Sequence, residues 1–378
     1  MKLVIIARHY PPAVSGGARR PYFLAHALKE AGAKIFLVAP DLDPILSGIV
    51  VRHPNRDPAP EGGGGDVSML ASMRNTAREW LRWPDPDITW SRRAAKAALD
   101  ALPFKPDWVL TTSPPESVHW AGNELKRITG ARWCADFRDQ WFDRAFRLNR
   151  RNPYRRALES VYARNLLRNV DVAVSVNELI DSEVARLSGL PDQKRAVIGH
   201  FLPPRGQGYV FEGPGPHLLH SGSFSVSDPE CSIEPTLRAF ALAAKKMPAL
   251  RLHLAGRLST GESKAVSSSP VVNQITLHGV VSLEQSLAMQ SAADALIVTA
   301  APNAPVPPGK YVEYQATGKP IIATGDGPWR TRIGLSGQDE VRSMRSPVLS
   351  HHSRDKGLLD AAQAARLVLE TLQASSRR

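Results

Sequence analysis

The chain has 378 residues, 43% of them apolar and 22% charged, with a net charge of +12. That length supports two domains with separate cores, and the composition is that of a globular protein rather than a disordered or fibrous one. It contains no apolar run of about eighteen residues, and the opening run 3–7 is too short for a signal-peptide core, so the expectation is a cytoplasmic protein without a membrane span.

The positive charge calls for anionic partners: nucleic acid, an acidic membrane surface or phosphorylated substrates. Cys134 and Cys231 lie far apart without metal-type spacing. This argues for two core thiols and against a disulfide framework or a zinc site.

Residues 2–7, KLVIIA, read as a buried strand. A loop over 9–17 carries Gly16 and Gly17, a helix is expected over 19–30, and 34–39, KIFLVA, supplies the next strand. This is a βαβ unit, which needs a right-handed crossover and a parallel sheet. The paired glycines either admit a ligand to the backbone at the mouth of that sheet or make a tight turn. The dinucleotide fingerprint G-x-G-x-x-G is absent.

Residues 57–66, DPAPEGGGGD, are a turn-rich loop, and a helical region follows through Trp83. The passage 83–90, WPDPDITW, is too interrupted by proline for regular helix. Its aromatic and acidic side chains either pack a long loop or frame an acceptor pocket.

The pattern sharpens at a strand over 107–111, the loop Thr112-Ser113-Pro114-Pro115-Glu116, a helix over 117–129 stopped by Gly130, and a strand over 132–136. Polar residues just after a parallel strand sit at the edge where open α/β sheets bind ligands, which singles out Asp136, Arg138 and Asp139. An internal ion pair or a helix cap is the alternative for each. His119 follows a similar loop, within reach of a substrate or packed inside.

Between 144 and 168 arginines alternate with Phe146, Tyr154 and Tyr162. The stretch suits an anionic membrane surface or a diphosphate-bearing lipid, or else forms a solvated helix face. No RNA- or DNA-binding module surrounds it, so nucleic acid is not an expected partner.

A strand over 171–176 and a helix over 177–187 precede 203–216, PPRGQGYVFEGPGP, which reads as the interdomain linker. The second half repeats the alternating plan. A strand over 217–221 leads to the loop Gly222-Ser223-Phe224 and a helix over 233–246. A strand over 250–255 ends at Gly256-Arg257, followed by a short strand over 276–278, a helix over 284–292 and a strand over 295–299. One amphipathic helix over 354–374 closes the chain.

The stretch 307–324, PPGKYVEYQATGKPIIAT, carries the most chemistry. A double proline ends what precedes it, Gly309-Lys310 opens a short helix over 310–317, Gly318 stops it and a buried strand follows. Free N–H groups at such a helix start, with Lys310 in the first turn, suit phosphate. Glu313, three residues on, lies on roughly the same face and can accept from two neighbouring ribose hydroxyls. The pair reads as a nucleotide clamp, or as a surface Lys–Glu pair. Gly309-Lys310 is followed by Tyr311, not the Ser or Thr of a P-loop.

In order and spacing, the following motifs resemble the retaining glycosyltransferase family four, of the bacterial exopolysaccharide or lipid-linked glycan type. They are Tyr10-Pro11-Pro12 with Gly16-Gly17, Pro84-Asp85 with Trp90, Thr112-Ser113-Pro114-Pro115, Asp136-Phe137-Arg138-Asp139 with Trp141, Ser221-Gly222-Ser223, and Pro308-Gly309-Lys310 with Glu313-Tyr314. The resemblance implies an α/β GT-B fold of two Rossmann-like, doubly wound domains facing across a cleft. Residues 1–205 would bind the acceptor, 206–350 the nucleotide-sugar, and 351–378 would form a helix returning to the first domain.

It further implies a retaining hexosyltransferase of polysaccharide biosynthesis, moving a sugar from a nucleotide-sugar donor to a glycan or lipid-linked acceptor. Such a protein is cytoplasmic or peripheral on the inner face of the membrane. Glu313 would take the ribose and Lys310 the diphosphate, with Gly222 and Ser223 near the donor phosphates and Gly16 and Gly17 near the transferred sugar. His119, Arg138 and Asp139 would face the acceptor as the catalytic residues. No metal or other cofactor is expected, because positive charge and the helix dipole would stabilise the leaving diphosphate.

The sequence departs from the family pattern twice. The position eight before Glu313, where many members carry a second glutamate, is Pro305, and 225–228 lacks the basic residue that often follows the glycine loop. Arg257 is the candidate substitute. A nucleotide-sugar epimerase on the same fold, or a degenerate transferase that only binds, remains open at this level.

Overall fold

Five consecutive apolar residues at 3–7 and five at 35–39 form neighbouring parallel strands, as uninterrupted apolar runs do when both sheet faces are covered. The computed structural model describes residues 1–11, 16–41, 43–52, 83–142, 152–335, 338–345 and 359–376. Residues 1–200 with 359–378 make one compact unit, and 201–358 make another.

The first unit runs β1 (Lys2–Ala7), α1 (Gly16–Glu30), β2 (Lys34–Ala39), β3 (Ser47–Val50), α2 (Ile88–Ala101), β4 (Trp108–Ser113), α3 (Val118–Thr129), β5 (Arg132–Phe137), α4 (Pro153–Leu167), β6 (Val172–Ser175), α5 (Glu178–Ser188) and β7 (Arg195–Val197). Its parallel sheet has the order β3-β2-β1-β4-β5-β6-β7. Trp90, Ala94 and Val118 pack on Val4 and Val38, and Trp141, Leu167 and Val184 pack further along the same face on Trp133 and Ala173, since Val4, Val109 and Trp133 are register partners.

The second unit runs β8 (His217–Ser221), α6 (Glu234–Lys246), β9 (Arg251–Ala255), α7 (Thr260–Ser267), β10 (Ile275–Gly279), α8 (Leu283–Ala292), β11 (Ala295–Val298), α9 (Lys310–Thr317), β12 (Ile321–Ala323), α10 (Pro328–Arg332) and α11 (Glu340–Arg345). Its sheet order, β10-β9-β8-β11-β12, repeats the β3-β2-β1-β4-β5 pattern of the first. Each strand splits its residues between two cores: Leu218, Ile297 and Ile322 face one, Leu219, Leu296 and Ile321 the other. Both sheets therefore have the Rossmann winding, with the order reversing at β1/β4 and at β8/β11.

Caps fix most helix ends. Asn152, Asn177 and Ser282 accept from first-turn N–H groups, Ser259 forms a capping box with Glu262, and Gly130, Gly189 and Gly318 close helices in the left-handed conformation. The last helix, α12 (Ala361–Ser376), packs on the first unit, where Arg132 donates to the carbonyl oxygens of Ser375 and Ser376.

Three expectations change. Gly16 and Gly17 form the first turn of α1 rather than the preceding loop. Residues 88–90, expected to be irregular, already belong to α2, because the prolines stop at Pro86 and Asp87 can precede a helix. The closing helix begins at Ala361, and 354–358 of the expected helix lie outside the described residues, as do 57–66, 69–82 and the arginines at 144, 147, 150 and 151. Residues 201–205 pack with the second unit, where Arg205 Nε donates to Ala316 O.

Candidate functional site

In the second unit the C-terminal end of β8 and the start of α9 form one structure at the β8/β11 reversal. Lys310 and Tyr314, one turn apart on α9, both face β8. Ser221 N donates to the Tyr314 hydroxyl at 2.9 Å, which pins the helix to the strand end. Lys310 Nζ lies 3.2 Å from His220 Nε2.

The lysine side chain passes over Gly222: a Cβ there would stand 2.8 Å from Lys310 Nζ, and φ is +127°. Gly222 N donates to Ala255 O at 2.7 Å. The following Gly256 has φ +159°, and a Cβ on it would come within 2.2 Å of Gly222 O. Two glycines thus let two strand-end loops touch backbone to backbone. Glu313 is half-buried in the first turn of α9.

Ser223 is half-buried and Arg257 exposed. At the position where the basic residue is missing, Ser225 N donates to Glu262 Oε1 at 2.8 Å, and the other carboxylate oxygen of Glu262 takes Ser259 N at 2.7 Å. That loop is tied to the start of α7. Pro305 is exposed. The sequence reading missed His220, which occupies an inward strand position where alternation predicts an apolar residue. The polar break in HLLHS was the available signal.

In the first unit the ends of β4 and β5 carry a buried polar cluster. Arg20 of α1 donates to Asp136 Oδ1 from Nε at 3.1 Å and from Nη2 at 2.8 Å, and Thr112 Oγ1 donates to Oδ2 at 2.7 Å. Burial pushes the Asp136 carboxyl up, but the Arg20 charge and these hydrogen bonds outweigh it and hold the group below the usual carboxylate range. Asp136 is therefore an internal ion-pair partner. Arg20 also donates to the carbonyls of Ile198 and Gly199.

Arg138, expected to face an acceptor, is buried and donates to Ser113 O, Pro114 O and Gly17 O. A Cβ on Gly17 would meet Arg138 Nη1 at 2.9 Å, so the group that uses this glycine is a side chain of the protein itself. Arg138 thus holds the β4 loop to the first turn of α1. Asp139 is half-buried, and its charge acts on Arg138 and on His200.

His119, also expected at the acceptor, is 0% exposed. Its Nδ1 meets Thr111 Oγ1 at 2.9 Å and its ring lies 4.6 Å from that of Phe137. Burial pushes its pKa down to about 3. It is an interior residue because α3 turns it toward the sheet, with Val118 and Ala121, rather than toward the strand ends.

Asp85 is held near neutrality. Burial, then the charge of Glu116, push it up to about 7, against hydrogen bonds from Ser117 and Asp87. It lies in the proline-rich passage beside Trp83, whose ring faces Tyr162 and Arg155 of α4.

Residues 15–200 match the glycosyl transferase 4-like domain. The whole chain superimposes on GT-B glycosyltransferases: on sucrose-phosphate synthase from Thermosynechococcus elongatus with a TM-score of 0.62 at 16% identity, covering 99% of this chain and 94% of that one. A glycosyltransferase from Rickettsia africae gives 0.56 at 13% identity, covering 100% and 99%. The UDP-GlcNAc 2-epimerase from Neisseria meningitidis, solved with UDP-GlcNAc, gives 0.57 at 14% identity, covering 99% and 100%. Comparison with curated protein sequences finds no match. The chain thus has the GT-B fold, as the motif order implies.

Proposed function

We propose that this GT-B chain is a retaining hexosyltransferase that moves a sugar from a nucleotide-sugar to a glycan or lipid-linked acceptor in polysaccharide biosynthesis. The observation that carries the reading is Lys310, held over Gly222 at the β8/β11 reversal with Glu313 three residues on. A fixed ammonium beside a helix start suits a diphosphate, and a carboxylate one turn away suits a ribose. Gly222 and Ser223 take the donor phosphates, with Arg257 adding charge.

As charge builds on the departing diphosphate, Lys310 and the α9 N-terminus stabilise it, and this reading needs no metal or other cofactor. In the first unit Arg138 and the first turn of α1, with Gly16 and Gly17, shape the acceptor side, and Asp139 lies at its edge. His119 supports this side from within.

The acceptor is lipid-linked at a cytoplasmic, anionic membrane face. Supporting this, α4 presents Tyr154, Leu158 and Val161 outward at i, i+4 and i+7, with exposures of 78%, 56% and 54%, beside Arg164 and Arg168. No helix among the described residues is long and apolar enough to cross a membrane.

The test is incubation with radiolabelled UDP-, GDP- and dTDP-hexoses and a membrane lipid extract, with and without EDTA. Label passing into lipid or glycan, with or without EDTA, is the expected result. Epimerised sugar formed without any acceptor would favour an epimerase, the activity of the Neisseria meningitidis neighbour. Nucleotide-sugar binding without turnover would leave a binding protein.

A further inference from the structure

His220 is a buried imidazole on the strand that carries the proposed phosphate loop, and two neighbours fix its proton. On one side Nδ1 lies 3.0 Å from Ile297 O, a carbonyl that only accepts, so Nδ1 carries the hydrogen. On the other, Nε2 lies 3.2 Å from Lys310 Nζ, an ammonium that only donates, so Nε2 presents its lone pair. The ring is 0% exposed and stacks on Phe224, centroids 4.0 Å apart and planes 15° apart, which fixes its orientation. Burial, then the charge of Lys310, push His220 well below the ordinary histidine range, so the ring stays neutral beside the lysine.

We propose that His220 is a positioning residue: a neutral Nδ1–H imidazole whose Nε2 accepts from Lys310 and aims the remaining ammonium hydrogens at the diphosphate of the nucleotide-sugar. Lysine is a point charge on a flexible stem, and holding it otherwise costs rotamer entropy on each binding event. The missing Cβ of Gly222 leaves the path open and His220 marks its end. This compensates for the missing basic residue at 225–228, because one lysine held in place does more than one free to swing. The inference rests on the diphosphate-binding reading of Lys310.

The experiment compares His220→Asn, which keeps a donor for Ile297 O but does not reach Lys310, with His220→Gln, which places a carbonyl near the position of Nε2. Affinities for UDP, GDP, dTDP and the matching nucleosides are measured by calorimetry on the full chain. For the diphosphate that wild type binds, Asn weakens affinity about tenfold, the scale of one hydrogen bond to a charged group, and Gln restores most of it. Nucleoside affinity changes less than about twofold, since the lost contact acts only on phosphate. In a Lys310→Met background the Asn change adds nothing.

Equal loss for nucleoside and diphosphate, or full additivity with Lys310→Met, would overturn the proposal. Should wild type bind no diphosphate, the donor reading fails by itself. Nitrogen-15 NMR then still decides His220: a protonated Nδ1 and a bare Nε2 at pH 7, with Nε2 shifting in Lys310→Met, support the contact, and an Nε2–H tautomer or an imidazolium refutes it.

Discussion

Arg20 and Asp136 form a forked ion pair with almost no exposure, 2.8 Å at its shortest, joining α1 to the end of β5. Removing one member of such a pair leaves the other charge buried. Arg20→Met is therefore expected to cost about 3–5 kcal/mol of first-unit stability, whereas Arg20→Met with Asp136→Leu costs less than the sum of the single changes. Urea unfolding followed by tryptophan fluorescence checks this. Additive costs would show that the two side chains act separately.

Gly256 is expected to tolerate no side chain. A Cβ there would lie 2.2 Å from Gly222 O, so Gly256→Ala must push the Gly222 loop away from the end of β9. The predicted result is weaker nucleotide binding by at least about tenfold, with a stability loss of about 1–3 kcal/mol from backbone strain. Gly261, with open space around its Cβ position, serves as the control. Equal affinities for both alanine variants would contradict the close approach.

Acid sensitivity follows from the interior histidines. His253 is pushed down to about 3 by burial, with the positive charges of His278, His217 and Arg251 adding to it, and His119 is also held at about 3. An unfolded histidine takes up its proton near pH 6.5 while these folded ones do not. Their contribution is therefore complete above about pH 6.5 and is lost as pH falls toward 3. His253→Gln should flatten the decline of Tm between pH 7 and pH 5. Parallel declines in variant and wild type would exclude His253 as a source.

How much of this was legible in the sequence varied with the local physics. Strands at 2–7 and 34–39 were readable because central parallel strands carry long apolar runs, and α9 because a double proline and Gly318 bracket it. Edge strands β3 and β7 were not, since SGIV and RAV carry no burial signal. The residue types at the strand ends were readable, but their directions were not. His119, Arg138 and Asp136 all point into the protein, and only the packing of α1 and α3 decides that. Lys310 was visible as a candidate for phosphate binding, whereas its contact with His220, 90 residues away in the chain, was not.

Membrane association should depend on the outward face of α4. Flotation with vesicles containing anionic lipid is expected at low salt and should decline as salt screens the arginines. Tyr154→Ser with Leu158→Ser and Val161→Ser removes the exposed apolar stripe without touching a core contact. That variant should bind about tenfold less at low salt with unchanged Tm. Undiminished flotation would place the contact elsewhere.

The central claim is that the second unit holds a nucleoside diphosphate through Lys310 and Glu313. Calorimetric titration of UDP, GDP and dTDP into wild type, Lys310→Met and Glu313→Ala tests it most directly. At least one diphosphate should bind wild type, and each substitution should weaken it by at least about tenfold at unchanged Tm, as loss of a charged contact does. Binding that survives both substitutions, or no binding of any of the three to wild type, would contradict the account.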